Sequence, residues 1–467
     1  MQLTQLLLVH LLMGLSLSGP SASQSILQPL LSPIVGEVEK LLPIPGALIG
    51  ALAPYTSVLN PLLQSAVLQN NLTQFSSDVV TSLTGLVGVL VNAALPVPPY
   101  IRPDSEAPKF GFSGEAYNVT TSDGYILGVF RVRNASCSAY RAVVVIPPGI
   151  LSNAASFMYI KENSLVYRLA RRCYDVWLLT FRGYLFGRSH TTLSDKSAKF
   201  WDFYPYHWGA YDLPLQLEFV SNKTGSTKLR LMGVDQAGTA LFFMNHVHGQ
   251  RYQKLLAGCY LFAPIGYLGR LRSLAFATLA LLRDVLTTVG ATTLHNEFAL
   301  MNPTVHSVLY NLCGRISPLT CFYLFQTLAG SSNEINYKLF PYAFANLLDS
   351  TSIYTMNYYF QQVGRLKYMA FFDYGEAENL RRYNRSTPEN VNLAATTVPC
   401  SFYALRQGTV TVTDDIRDTF KALAPSAQST IEELDNFNSV SPFVPVDADG
   451  LYGPPIRQME ADLRRLS

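Results

Sequence analysis

This 467-residue chain is poor in charge and poorer still in histidine. Charged residues make up 14% of it and apolar residues 49%. That balance excludes a solvated, disordered chain and leaves enough apolar side chains for a large core. Net charge is +3 with no basic block, so nothing electrostatic argues for nucleic acid. No motif implies a metal or a cofactor. The seven histidines are His10, His190, His207, His246, His248, His295 and His306. The C-terminal third therefore holds no imidazole, the commonest catalytic base.

Met1 to Ser23 reads as a secretory signal, with an apolar stretch Leu6 to Leu17 and small residues Ser21-Ala22-Ser23 before Gln24. It lacks the usual basic start, and its apolar stretch is short for a membrane span. N-x-S/T sequons follow at Asn71, Asn118, Asn134, Asn222 and Asn384, as expected of a glycosylated, secreted chain. A lysosome-like compartment is the alternative destination. Of the six cysteines, Cys313 and Cys321 are the best candidate bridge. Cys173, Cys259 and Cys400 sit in apolar runs and read as buried free thiols.

Residues 24–104 form an apolar extension broken by prolines. Only Glu37, Glu39, Lys40 and Asp78 are charged between Gln24 and Ile101. Val79 to Ile101 is long enough to span a bilayer, but Thr81, Ser82, Thr84, Asn92 and a proline cluster dilute it. The reading is short apolar helices packing on the folded body or a partner, with contact at a lipid surface as the sharper alternative.

From Ser105 a different rhythm begins. Glu115 to Arg133 alternates around Ser122-Asp123-Gly124, a hairpin pattern. Ala142 to Ile146, Tyr174 to Leu179, Lys254 to Phe262 and Pro399 to Leu405 are continuous apolar runs suited to buried parallel strands. Helical patterns at Ser164 to Arg172 and Tyr211 to Val220 lie between them, so the spacing predicts an α/β chain with a doubly wound, mostly parallel sheet. Residues 267–397 interrupt it with helix-like stretches (Leu271 to Leu286, Glu334 to Leu348) and aromatics such as Tyr354, Tyr358, Tyr359 and Phe360. This is a helical cap inserted between residues 105–266 and 398–467 of the core.

The chemistry should sit at Gly233-Val234-Asp235-Gln236-Ala237. A strand (Lys228 to Met232), a small-residue turn and an apolar helix from Thr239 form the setting of a nucleophile elbow, whose usual pattern is G-x-S-x-G. Here the serine is Asp235 and the second glycine is Ala237.

Together these residues resemble the acid lipases, the gastric and lysosomal type of secreted α/β-hydrolase. The resemblance rests on the hairpin Glu115 to Gly128, the strand and Arg-Gly turn Cys173 to Gly183, Tyr211-Asp212-Leu213-Pro214, Ser221 to Gly225, and Phe262-Ala263-Pro264. It runs from about Ser105 to Tyr452. It implies an α/β-hydrolase fold with an inserted cap, and triacylglycerol or sterol-ester hydrolysis by a serine, a histidine and an acid. Those three positions fall here on Asp235, Ser439 and Gly408, so the resemblance implies a degenerate triad. A shifted register would offer Asp414 or Asp415 as the acid; nothing offers the base. The oxyanion-hole backbone falls on Ile150 and Gln236. With Asp235 ionised, those N–H groups are expected to bind its own carboxylate. A fixed charge there would oppose a developing oxyanion by about 4 kcal/mol at about 4 Å and an effective dielectric near 20.

Two functions remain open at this point. One is a secreted pseudo-lipase that binds a lipid or fatty-acyl ligand or serves an extracellular interaction. The other is an active lipid ester hydrolase in which Asp235 is the nucleophile, as in epoxide hydrolases and haloalkane dehalogenases, which also need a histidine.

Overall fold

The computed structural model describes residues 99–467 apart from 294, 299–305, 308, 312, 314–317, 345–347 and 467. The signal, most of the apolar extension and Asn71 lie outside the described residues. The chain divides into two compact units. One comprises residues 1–97 and 302–320; in its described part, Asn311 Nδ2 donates to the Ser307 carbonyl (2.9 Å). The other comprises residues 98–301 and 321–467 and carries the sheet. Among the described residues, no helix is long and apolar enough to cross a membrane.

The hairpin forms as β1 (Ser113–Thr120) and β2 (Tyr125–Arg133), with Val119 opposite Leu127. Its turn is fixed by the Thr121 hydroxyl, which accepts the Tyr125 N–H (2.9 Å). Then come β3 (Val143–Ile146), β4 (Asp175–Leu178), the short β5 (Ser189–His190), β6 (Leu229–Val234), β7 (Leu256–Phe262), β10 (Cys400–Leu405) and β11 (Thr430–Leu434). The sheet order is β1-β2-β4-β3-β6-β7-β10-β11, with β5 on β2. From β4 to β11 every pairing is parallel. All residues of β3, β4, β6 and β10 are buried, as strands covered on both faces must be.

The covering helices are α1 (Leu165–Arg171), α2 (Leu213–Thr224), α3 (Gln236–His248), and, after the sheet resumes, α9 (Thr413–Lys421) and α10 (Ala448–Leu466). Between β7 and β10 lie α4 (Leu274–Leu281), α5 (Arg283–Thr293), α6 (Pro318–Ala329), α7 (Ile353–Phe360) and α8 (Glu376–Tyr383). A two-stranded ribbon, β8 (Glu297–Phe298) with β9 (Thr351–Ser352), joins them. The long stretch expected over Glu334 to Leu348 is only a 3-10 turn (Tyr337–Leu339) and a short helix (Phe340–Ala343) among its described residues. Pro341, tolerated only in a first helical turn, divides it.

One expectation about cysteine is overturned. Cys173 is not a free thiol but is bonded to Cys137, 36 residues away. The reason is local: Cys173 has φ 59° in the turn before β4, which takes its side chain out of the strand pattern. Cys259 and Cys400 are buried and free. Cys313 and Cys321 are each disulfide-bonded.

A buried ion cluster pins the hairpin to the sheet. Arg182, 1% exposed, donates from Nε to Asp212 Oδ1 (2.9 Å) and from its terminal nitrogens to Asp123 (2.6 and 3.0 Å). Its backbone N–H also reaches Asp212 Oδ2 (2.9 Å). Asp212 is fully buried, so its loss would strand a buried guanidinium. Asp212→Ala is expected to lower unfolding free energy by about 3–5 kcal/mol in urea titrations; a change below about 1 kcal/mol would contradict this reading of the cluster.

Candidate active site

At the end of β6 the chain turns sharply into α3. Asp235 occupies the turn with φ 49° and ψ −108°. Its N–H donates to the Phe262 carbonyl (3.0 Å), and its own carbonyl accepts from Gly238 N–H (3.1 Å) and Ile265 N–H (3.0 Å). Small neighbours make the turn fit. A Cβ on Gly233 would lie 2.4 Å from Ala237 Cβ, so alanine at 237 is tolerated because 233 stays bare.

The side chain of Asp235 is 2% exposed. No described residue donates a hydrogen bond to its carboxyl, and burial alone raises its pKa well above the usual carboxylate range. This corrects the expectation that the N–H groups of Ile150 and Gln236 bind its carboxylate. No described residue compensates the charge, so burial favours the neutral form.

The turn after β3 faces Asp235. A Cβ on Gly149 would sit 3.5 Å from Asp235 Oδ2 and 2.5 Å from Val234 Cγ1. The Gln236 side chain fastens this turn, donating from Nε2 to the Gly149 carbonyl (2.8 Å) and to the Tyr184 hydroxyl (2.7 Å). From the cap, Asp349 N–H donates to the carbonyl of Leu151, which has φ 51°. The Asp349 carboxylate accepts from Leu185 N–H (2.9 Å) and Ser350 N–H (2.8 Å), and Asn153 also bonds it. Even so, burial wins and pushes Asp349 up to about 7. Sequence reasoning missed Asp349 and Tyr184. The one available signal was an isolated acid, Asp349, in a charge-poor segment.

The two other family positions meet. β10 ends beside β7 and β11, and the loops that follow place Gly408 against Ser439: a Cβ on Gly408 would be 3.6 Å from Ser439 Oγ. That hydroxyl is buried and makes no hydrogen bond among the described residues. The positions 408 and 439 are therefore neighbours in space. The same Cβ would lie 3.0 Å from the carbonyl oxygens of Leu405 and Thr411, closer than ordinary packing allows.

The alternative acids are committed elsewhere. Asp415 holds Arg270 (2.7 Å to Nη1, 2.7 Å to N–H), and Asp414 pairs with Arg417 (2.9 Å). So are four histidines. His207 is half-buried, lowered to about 3 chiefly by desolvation, and its Nδ1 accepts the Tyr204 N–H (3.2 Å). His246 Nδ1 accepts from Asn392 in the cap (3.0 Å), His248 Nε2 meets the Ala210 carbonyl (2.9 Å) and His190 Nε2 the Asp123 carbonyl (2.8 Å). Of the sequon asparagines, Asn118, Asn222 and Asn384 are exposed; Asn134 is partly buried and accepts Ser136 N–H (3.0 Å).

A mostly parallel sheet with a strained strand-to-helix elbow at β6 and a cap between β7 and β10 defines an α/β-hydrolase. A family model for a partial alpha/beta-hydrolase lipase region matches residues 106–160. Lipase 1 of Drosophila melanogaster is 28% identical over 303 residues, 63% of this chain and 65% of that one. Lipase member K of Mus musculus is 27% identical over 370 residues, 76% of this chain and 90% of that one. Gastric triacylglycerol lipase of Rattus norvegicus is 27% identical over 305 residues, covering 63% and 75%. These likenesses support a relation to the acid lipases on an α/β-hydrolase fold.

Two measurements check this geometry. Gly408→Ala should cost about 1–3 kcal/mol of stability through overpacking against two carbonyls; a neutral change in urea midpoint would mean the loop is not closed as described. The second concerns Asp349, whose folded pKa of about 7 exceeds the ordinary 3.8. The neutral form is favoured by folding, so its share of stability is full below about pH 4 and is lost as pH rises toward about 7. Asp349→Asn should flatten the pH dependence of the unfolding midpoint across that window. An unchanged slope would refute the assignment.

Proposed function

We propose that this chain is a secreted, glycosylated lipase-like protein without ester hydrolysis, which binds a lipid or fatty-acyl ligand where its relatives cleave one. The carrying observation is Asp235 at the elbow: the position that the resemblance gives to a serine holds a buried carboxyl that accepts no hydrogen bond from a described residue. A carboxyl supplies no alkoxide, and burial disfavours the carboxylate that an aspartate-based hydrolase would need as nucleophile. Gly408 and Ser439 support the reading, since the pair that would activate a nucleophile offers one unpartnered hydroxyl. The signal-like start, the exposed sequons and the bonded Cys137–Cys173 pair support passage through an oxidising, secretory route.

The test uses the purified full chain. Short-chain p-nitrophenyl esters should show no turnover above background, and serine-directed fluorophosphonates should not label it, while lipid extraction recovers acyl ligand. Ester hydrolysis that Asp235→Ala abolishes would overturn the proposal.

A further inference from the structure

Two nucleophilic side chains outside the elbow stand side by side in the sheet. Cys259 lies on β7 and Cys400 opens β10, and these strands pair in parallel with Cys400 in register with Cys259. Both thiols are free and buried, at 1% and 0% exposure. Residues in register on neighbouring strands point to the same face of a sheet, about 4.8 Å apart. Main-chain bonds hold this register, with Cys259 N–H donating to the Pro399 carbonyl (2.8 Å). Cys400 N–H donates to the Ser429 hydroxyl (3.0 Å), and the Cys400 thiol to the Val398 carbonyl (3.5 Å).

We propose that Cys259 and Cys400 are a reversible disulfide site, whose oxidation ties the strand that follows the cap covalently to the strand that precedes it. The spacing permits the bond, since disulfides join residues whose Cα atoms lie about 4.4–6.8 Å apart. It also strains the bond. Side chains running parallel leave the two Cβ atoms near the strand spacing, slightly beyond the separation of about 3.5–4.5 Å usual for a disulfide. The β6–β7 register shifts between Leu229 and Arg230, which leaves Ala257 without a partner two residues before Cys259. That irregularity gives β7 backbone slack for the closure. A bond closed against strain is more easily reduced than a relaxed one. In the step itself each thiol gives up one proton and one electron, and one S–S bond replaces two S–H bonds. A small disulfide oxidant such as glutathione disulfide takes up both protons and both electrons and leaves as two thiols.

Burial decides when the exchange occurs. It raises the Cys259 thiol well above its ordinary range, so little thiolate is present to attack an oxidant while the strands are paired. The pair is oxidised as β7 and β10 part, and the bond made as they close again resists the next opening. What it secures is a long-range junction. β10, β11, α9 and α10 all follow the cap in the chain, and β10 and β11 are held to the rest of the sheet through β7. A crosslink that closes a long loop constrains the unfolded chain more than one that closes a short loop.

The experiment equilibrates the full-length protein in glutathione buffers of rising disulfide content at about pH 8, near the ordinary thiol pKa. Urea below the unfolding transition speeds the opening. Samples are alkylated, digested and read by mass spectrometry. Two peptides linked through Cys259 and Cys400, together lighter by two hydrogens, should appear, and they should need more oxidant than the Cys137–Cys173 bond does. The linked protein should unfold at least about 3 °C higher than the reduced one. Cys400→Ala should show neither the link nor the shift, and Cys259→Ala takes its place if that variant does not fold. Thiols that are alkylated at every buffer ratio, or that each carry a glutathione instead of the link, would overturn the proposal. A linked protein that unfolds no higher than the reduced one would refute the tie between the two strands.

Discussion

The structure depends on one backbone constraint, the left-handed turn that carries residue 235 from β6 into α3. It is held by main-chain bonds to Phe262, Gly238 and Ile265 and by the bare face of Gly233. None of these needs a serine. The turn therefore accommodates a carboxyl at 235 and keeps it buried.

That burial sets the electrostatics of the site. Asp235 and Asp349 lie on either side of the Gly149–Leu151 turn, and burial raises both above the ordinary carboxylate range. Asp349 receives several hydrogen bonds and still rises to about 7, while Asp235 receives none from a described residue and burial alone raises it. Each favours folding most in acid.

Much of the fold was legible because buried parallel strands must be apolar on both faces: β3, β4, β6, β7 and β10 announce themselves as runs. β11 does not, since it is an edge strand with Glu432 and Glu433 and alternating exposure. The break between α4 and α5 at Leu282 is hidden in one continuous apolar pattern. Motif order singled out Asp235, Gly408 and Ser439, and the structure brings Gly408 beside Ser439. The protonation preference of Asp235 was not readable, because it follows from what surrounds the side chain in space. Cys173 misled for a related reason: its apolar neighbours belong to the strand, but its positive φ removes it from the strand's pattern.

The state of the Asp235 carboxyl is the most direct test. Infrared difference spectra of wild type against Asp235→Asn, recorded across pH, isolate that group directly. A protonated C=O band assigned to Asp235 is expected to persist well above the ordinary titration point near 3.8. A carboxylate already formed at that point would contradict a buried carboxyl with no compensating partner.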